Sequence, residues 1–260
     1  DTRDKQIKAL RLLAKLNLQA CIRAKQAVAS KEALQYNLTA TECLSDIAQL
    51  MTNASSDEVK YTNPEEQPLL WQKHYWFDLS FAVYRELADS YYILSNFTQS
   101  QRILNMLLKW CTDANDAIER ANILLQKLLQ QTLCNDLIEA IATGIEAIGL
   151  CGIRVNCSSN EPDFPARLEN EIAALKACVA KTETFSYVPP QLPNQSQQEP
   201  QKILCVSTDK ELSRADSTIV KLVSALIPPA YIYDSKLCFL LSCIAARIIL
   251  THGATPHCPT

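Results

Sequence analysis

The chain has 260 residues, with 25 Lys and Arg against 28 Asp and Glu for a formal charge of −3, eleven Cys and only four Gly. Acidic and basic residues are interspersed without a Lys/Arg block, which argues against nucleic acid or an anionic membrane surface as a main partner. The longest apolar run, Leu237 to Leu250, is broken by Ser242 and Arg247 and falls short of the roughly 18 to 20 residues of a membrane-spanning helix.

So little glycine, with abundant Leu, Ala, Ile and Gln, disfavours strands and tight β-turns and predicts an all-α protein of helices joined by short polar turns. Residues 1–52 read as a first hairpin. Ile7, Leu10, Leu13, Ala14, Leu18 and Cys21 form one helical stripe, a break falls near Cys21 to Ala24, and Val28, Leu34, Leu38, Leu44, Ile47 and Met51 mark a long second helix. The polar stretch Thr52 to Gln67 has loop chemistry, and Pro68 suits the first turn of the next helix.

Residues 68–150 read as two central hairpins. In the first, Tyr75, Leu79, Val83, Leu87, Tyr91 and Leu94 line one face, and Phe77, Phe81, Tyr84, Ala88 and Tyr92 another, so two neighbours must cover this helix. Ser95-Asn96 stops it, and Thr98 with Gln101 forms a capping box for its partner. In the second hairpin Asp113 to Asp116 caps a helix with Ala117, Ala121, Leu124 and Leu128. Asn135-Asp136 opens the next with Ile138, Ile141, Ile145 and Ile148, and Gly149 stands where a helix end with positive φ is wanted. Phe97 and Leu137 hold matching places 137 − 97 = 40 residues apart, within the range of helical repeats. The architecture expected is a tetratricopeptide-like superhelix of antiparallel helical hairpins, one repeat segment over 1–260.

Beyond it, residues 163–182 carry a helix from about Pro165. Residues 183–203 read as a flexible Pro/Gln-rich excursion, with four Pro and five Gln between 189 and 201. Residues 204–260 hold two last helices. The first starts at a Thr208/Glu211 capping box and ends at Pro228-Pro229. The second runs from Ser235 to His252, and its stripe Leu240, Leu241, Ile244, Ala245 and Ile248 calls for a further partner helix. Because the chain opens without Met and inside a helical pattern, it reads as an excised segment of a larger protein.

Cys21, Cys43, Cys111, Cys178, Cys238 and Cys243 fall within helical stripes, where a reduced Cys acts as a small hydrophobe, and the odd count leaves one thiol unpaired in any disulfide scheme. A reducing, cytoplasmic location follows as the expectation. Five Asn-X-Ser/Thr matches, at Asn37, Asn53, Asn96, Asn156 and Asn194, are read as chance, since Asn37 lies in mid-helix and Asn96 in a tight turn.

The hairpin Leu87-Ala88-x-x-Tyr91, Ser95-Asn96-Phe97, Leu104 resembles the tetratricopeptide pattern of small residue, aromatic, turn, aromatic and apolar positions; Ser100 replaces the usual Ala and the turn Gly is missing. Ala14-Lys-Leu-Asn-Leu-Gln-Ala-Cys-Ile-Arg-Ala-Lys25, Ile145-Glu-Ala-Ile-Gly-Leu-Cys-Gly152, Leu226-Ile-Pro-Pro-Ala-Tyr231 and His252-Gly-Ala-Thr-Pro256 add an ordered set. With it, nearly the whole chain resembles the helical region that follows the AAA or STAND-type ATPase module in large hybrid histidine kinases of cyanobacteria and fungi. The fungal members are similar to peroxide-responsive phosphorelay kinases. Cys21 and Cys151 stand where smaller residues are expected. The resemblance implies a non-catalytic regulatory segment whose partners are the neighbouring ATPase, GAF and kinase domains, with ATP bound elsewhere in the parent and no cofactor here. The alternative is a stand-alone helical-repeat adaptor for a partner peptide or protein.

No phosphate loop occurs. His252-Gly-Ala-Thr-Pro256 has the wrong spacing for a phosphoacceptor box. Cys238 and Cys243 lie about 140° apart around a helix and do not converge on a metal with His252, His257 and Cys258. His74 and Asp78 read as an ion pair rather than an acid/base pair. Trp71, Trp76 and Trp110 read chiefly as packing anchors. As interaction residues, Trp76, Tyr92 and Trp110 are the candidates. As redox-sensitive thiols, Cys151, Cys157 and Cys205 are, because they lie in or beside predicted loops.

Overall fold

The computed structural model describes residues 2–52, 77–111, 117–155, 159–181, 184–187, 201–204 and 213–252. The described residues are helical apart from turns and one two-stranded ribbon, and they form two units, Asp1–Glu119 and Arg120–Thr260.

In the first unit, α1 (Thr2–Gln26) and α2 (Ser30–Thr52) pack as an antiparallel pair, and α2 packs in turn on α3 (Phe77–Ile93), which pairs with α4 (Phe97–Trp110). The break expected near Cys21 to Ala24 is not there. Cys21 and Ala14 are fully buried, so the helix keeps its stripe through this region and ends only at Gln26. Residues 53–76 and 112–116 lie outside the described residues, and with them Pro68, Trp71, His74, Trp76 and the proposed Asp113 cap.

One turn design recurs. At Val28, Ser95 and Asn135 the backbone adopts positive φ, 59°, 60° and 64°, and at Gly152 it reaches 87°. In each case the next amide reaches back five residues, Ala29 to Ala24, Asn96 to Tyr91, Asp136 to Gln131 and Ile153 to Ile148. The positive-φ amide itself reaches back three. This is the Schellman arrangement, which satisfies helix-end carbonyls and reverses the chain. Two expectations move as a result. The positive-φ residue after the sixth helix is Gly152, while Gly149 stays helical. The cap of α4 is Asn96, whose Oδ1 accepts from the Gln99 amide at 3.4 Å, so the helix begins at Phe97, one residue ahead of the predicted Thr98/Gln101 box, which falls within its first turns. Ser95 and Asn135 stand 40 residues apart in the same conformation, as Phe97 and Leu137 do at the first helical positions.

Val28 is the poorest occupant of such a turn, because a β-branched residue in the left-handed region clashes with its own backbone, at a cost of about 1 to 2 kcal/mol. Its side chain is 85% exposed and contributes little packing in return. Val28→Gly is therefore expected to raise stability by about 0.5 to 1 kcal/mol, the strain relieved less the extra unfolded-chain entropy of glycine. A higher urea midpoint with unchanged slope is the measurement.

The second unit contains α5 (Ala117–Leu133) from Arg120 on, α6 (Leu137–Leu150), α7 (Phe164–Lys181), α8 (Arg214–Tyr233) and α9 (Ser235–His252). An Arg120 to Glu146 ion pair at 3.1 Å bridges α5 and α6. Helix α6 packs on α8, α8 on α9, and α9 on α7. The further partner expected for α9 is not required for most of its stripe: Leu240, Leu241, Ile244 and Ile248 are already buried in this unit, and Arg247 pairs with Glu171 of α7.

One more expectation is corrected at the last helical pair. The predicted Thr208/Glu211 box lies outside the described residues; helix α8 spans Arg214–Tyr233 with Ser213 as its cap, whose Oγ accepts from the Asp216 amide at 3.1 Å, and it does not stop at Pro228-Pro229. Of the segment expected to be a flexible excursion, residues 183 and 188–200 lie outside the described residues, and the latter stretch is flanked by β1 (Thr184–Tyr187) and β2 (Gln201–Leu204), antiparallel with Thr184 opposite Leu204.

At the α8 to α9 corner the Asp234 carboxylate accepts the amides of Ser159 (2.8 Å), Lys236 (3.1 Å) and Leu237 (3.2 Å). Burial opposes its charge, but these hydrogen bonds outweigh burial and hold its pKa below the usual aspartate value. It thus caps α9 and ties the preceding loop to the corner.

Candidate functional site

A groove in the first unit runs between α2, α3 and α4. Its walls are Thr41 from α2, Tyr84, Leu87 and Tyr91 from α3, and Gln99, Arg102, Ile103 and Met106 from α4, around a volume of about 250 Å³. The spacing explains the convergence. Positions 84, 87 and 91 share one face of α3 and positions 99, 102, 103 and 106 one face of α4, so an antiparallel pair held by a tight turn turns both rows to one side. The hairpin closes tightly because Ser100, fully buried, donates its hydroxyl to the Ala88 carbonyl at 2.6 Å.

Beneath the groove the α3 to α4 pair is braced by aromatic contacts. Trp110 is 1% exposed and meets Tyr84 edge-on at 5.4 Å, with Phe77 at 6.4 Å. Burial pushes the Tyr84 phenol up to about 12, so it remains a neutral part of the wall at any physiological pH. Behind α3, Lys25 of α1 pairs with both Glu86 and Asp89. At 3.6 residues per turn positions 86 and 89 fall on the face of α3 opposite 84, 87 and 91, away from the groove.

Burial works against the Lys25 ammonium, but its hydrogen bonds to Asp89 and Glu86 outweigh the penalty and its pKa is raised. With a folded value above the unfolded 10.5, the pairing contributes fully below that pH and is lost as pH rises through the folded value. Replacing Lys25 with Met leaves two neighbouring carboxylates, Glu86 with only 16% of its side chain exposed, without their cation. We expect a loss of about 1 to 3 kcal/mol at pH 7, between the values for exposed and buried pairs. The difference between wild type and variant in urea melts is expected to shrink above pH 10.5.

The candidate residues fall in different places. Trp110 is a core anchor, not a surface available to a partner. Tyr92 is half-exposed, but it lies outside the groove and meets Phe97 across the turn, the rings tilted by 54° with centroids 6.0 Å apart. Trp76, Cys157 and Cys205 lie outside the described residues. Cys151 is half-buried at the end of α6, and burial pushes its thiol up, which lowers the thiolate fraction that peroxide chemistry needs. Among the other described thiols Cys21, Cys43, Cys111 and Cys243 are buried, whereas Cys178 and Cys238 are half-exposed and Cys134 is exposed. Asn37 is fully buried in α2, so glycosylation there is incompatible with this fold. Asn96 is occupied as a helix cap.

A second cavity of about 530 Å³ lies between α1 and α2, lined mainly by Ala9, Leu10, Leu13 and Leu50 with Gln6, Asp46 and Gln49 at its border. Among the described residues no group of three or more His, Cys, Asp and Glu side chains gathers as a metal site requires. No described helix is long and apolar enough to cross a membrane.

Compared with known proteins, the chain matches no family model, no curated protein and no solved structure. The groove must therefore be interpreted from its own chemistry. It joins an apolar floor to three polar residues, Thr41 from α2 and Gln99 and Arg102 from α4. Tyr84, Leu87 and Tyr91 were legible as helix stripes, but the α4 row was not singled out. The signal was available in Gln99, Arg102, Ile103 and Met106 at i, i+3, i+4 and i+7, since a hairpin places that row against the α3 row.

Proposed function

We propose that the chain is a non-catalytic helical-repeat segment, tetratricopeptide-like in its hairpins, that works by contact with other proteins. In its parent it couples an ATPase module to a phosphorelay histidine kinase output in the cytoplasm, with the ATPase, GAF and kinase domains as its neighbours and ATP bound outside this segment. The ordered motifs from Ala14 to Pro256 support the family half of this reading. The contact half is carried by the groove of α2, α3 and α4, where two tyrosines, Met106 and a polar rim converge. Stacked hairpins present such surfaces and transmit displacement through a continuous core.

The test uses the full parent chain. Gln99 and Arg102 are exposed, so Gln99→Glu with Arg102→Glu changes the groove without disturbing the core. Kinase autophosphorylation and association with the neighbouring domains are expected to fall. Unchanged output and association in a stably folded variant would remove the groove from the coupling. The groove equally favours the second reading, a stand-alone adaptor that captures a partner peptide. Sequence flanking the chain decides between them, since ATPase and kinase motifs on either side belong only to the first.

A further inference from the structure

We infer that the groove takes an acidic peptide segment, seating one aliphatic side chain between Tyr84, Tyr91 and Met106 and a neighbouring carboxylate on Arg102. This rests on the reading of the groove as a contact surface and adds the chemistry of the partner.

Size gives the first argument. At about 250 Å³ the groove is smaller than the roughly 300 to 1,000 Å³ of sites that enclose a small-molecule ligand. It is suited instead to one apolar anchor whose chain continues outside, which is how a helix or strand docks through single residues. Its floor of Leu87, Ile103 and Met106 is aliphatic, and Met adapts to irregular partners.

Charge gives the second. Among the described residues that line the groove, Arg102 is the one formal charge and none is acidic. The nearest carboxylates along α3, Glu86 and Asp89, are committed to Lys25 on the other side of that helix. Arg102 has an interaction of its own, yet a guanidinium offers five donors, and an exposed one can add a carboxylate. Thr41 and Gln99 flank it, with a hydroxyl and an amide that can serve a peptide backbone. A basic segment would meet Arg102 with like charge, and among the described residues that line the groove none is an acid that would offset it.

The experiment uses the 260-residue chain and three fluorescein-labelled nonapeptides. One has a central leucine flanked by glutamates, the second has lysines in place of the glutamates, and the third has alanine in place of leucine. Anisotropy titrations at low salt are expected to show the glutamate peptide binding at least about tenfold more tightly than the lysine peptide, the worth of one charge-assisted hydrogen bond. The alanine peptide is expected to bind about tenfold more weakly than its leucine parent. Arg102→Glu should invert the charge preference, and Gln99→Trp, which fills the groove from its exposed rim, should abolish binding with the thermal midpoint preserved. Equal affinity for the acidic and basic peptides, still abolished by Gln99→Trp, would overturn the acidic partner and leave the groove as the contact surface. No binding of any peptide, or binding indifferent to Gln99→Trp, would overturn both.

Discussion

Replacing Trp110 with alanine is expected to lower the stability of the first unit by about 3 to 5 kcal/mol, the range for removing a large aromatic from a core. Trp110 is the last residue of α4, a helix of 14 residues, and is almost wholly buried there. Its indole packs against Tyr84 and Phe77 of α3, so one side chain joins the two helices that form the groove. Edge-to-face geometry with Tyr84, at 85° between the rings, adds to what area alone gives. Two measurements separate this from a general loss of solubility. Hydrogen exchange should rise first at the amides of α3 and α4, while α8 and α9, which belong to the other unit, keep their protection. The Tyr84 phenol, held at about 12 by burial, should titrate nearer 10 once the indole is gone, visible as tyrosinate absorbance at lower pH. If exchange rose evenly through both units and Tyr84 kept its titration, the indole would not be the joint between α3 and α4.

Much of the fold was legible because helix periodicity is a strong signal and the turns are short. The stripes of Leu79 to Tyr91 and of Leu137 to Ile148 place helices where α3 and α6 lie, and the Ser95-Asn96 and Asn135-Asp136 pairs mark their hairpin turns. Helix ends were less legible, for reasons that lie outside the local sequence. Pro228 and Pro229 stop an isolated helix because they remove two donors from the carbonyls of Ser224 and Ala225. In α8 those two residues are half-exposed, so water can serve their carbonyls, while Pro229 and Ala230 are buried and packing holds the helix to Tyr233. At Val28 propensity points the wrong way altogether, since a β-branched residue occupies a place that glycine or asparagine would suit. The groove was half legible: a periodic stripe shows that a helix has an apolar face, but not which part of that face its neighbours leave uncovered. Tyr91 and Tyr92 are adjacent in sequence and similar in chemistry, and only the packing puts Tyr91 in the groove wall and Tyr92 against Phe97. The strand pair bordering 188–200 gave little signal, because each strand is only four residues long, the lower limit at which alternation can be read.

The second large effect lies at the crossing of α6 and α8, where Gly144→Val is expected to cost about 2 to 3 kcal/mol. A Cβ at position 144 would stand 2.6 Å from one methyl of Leu226 and within 3.3 Å of its other methyl and its Cγ. The conflict thus involves the whole end of the leucine, not a tip that can swing aside. Leu226 is fully buried, so any new rotamer must displace its neighbours. Alanine at 144 would recover about 1 kcal/mol of helix propensity against this strain, whereas valine adds two methyls to the collision and little propensity. Leu226→Ala alone is expected to cost about 2 to 5 kcal/mol by leaving a cavity. The two substitutions fill each other's defect. The double variant should therefore lose less than the sum of the singles, by about 1 to 3 kcal/mol of coupling, a range typical of residues in direct contact. Urea unfolding followed by exchange at α6 and α8 amides measures the cycle. Strict additivity would mean that the absence of a side chain at 144 is not what lets Leu226 into this crossing, and that the helices meet through other contacts.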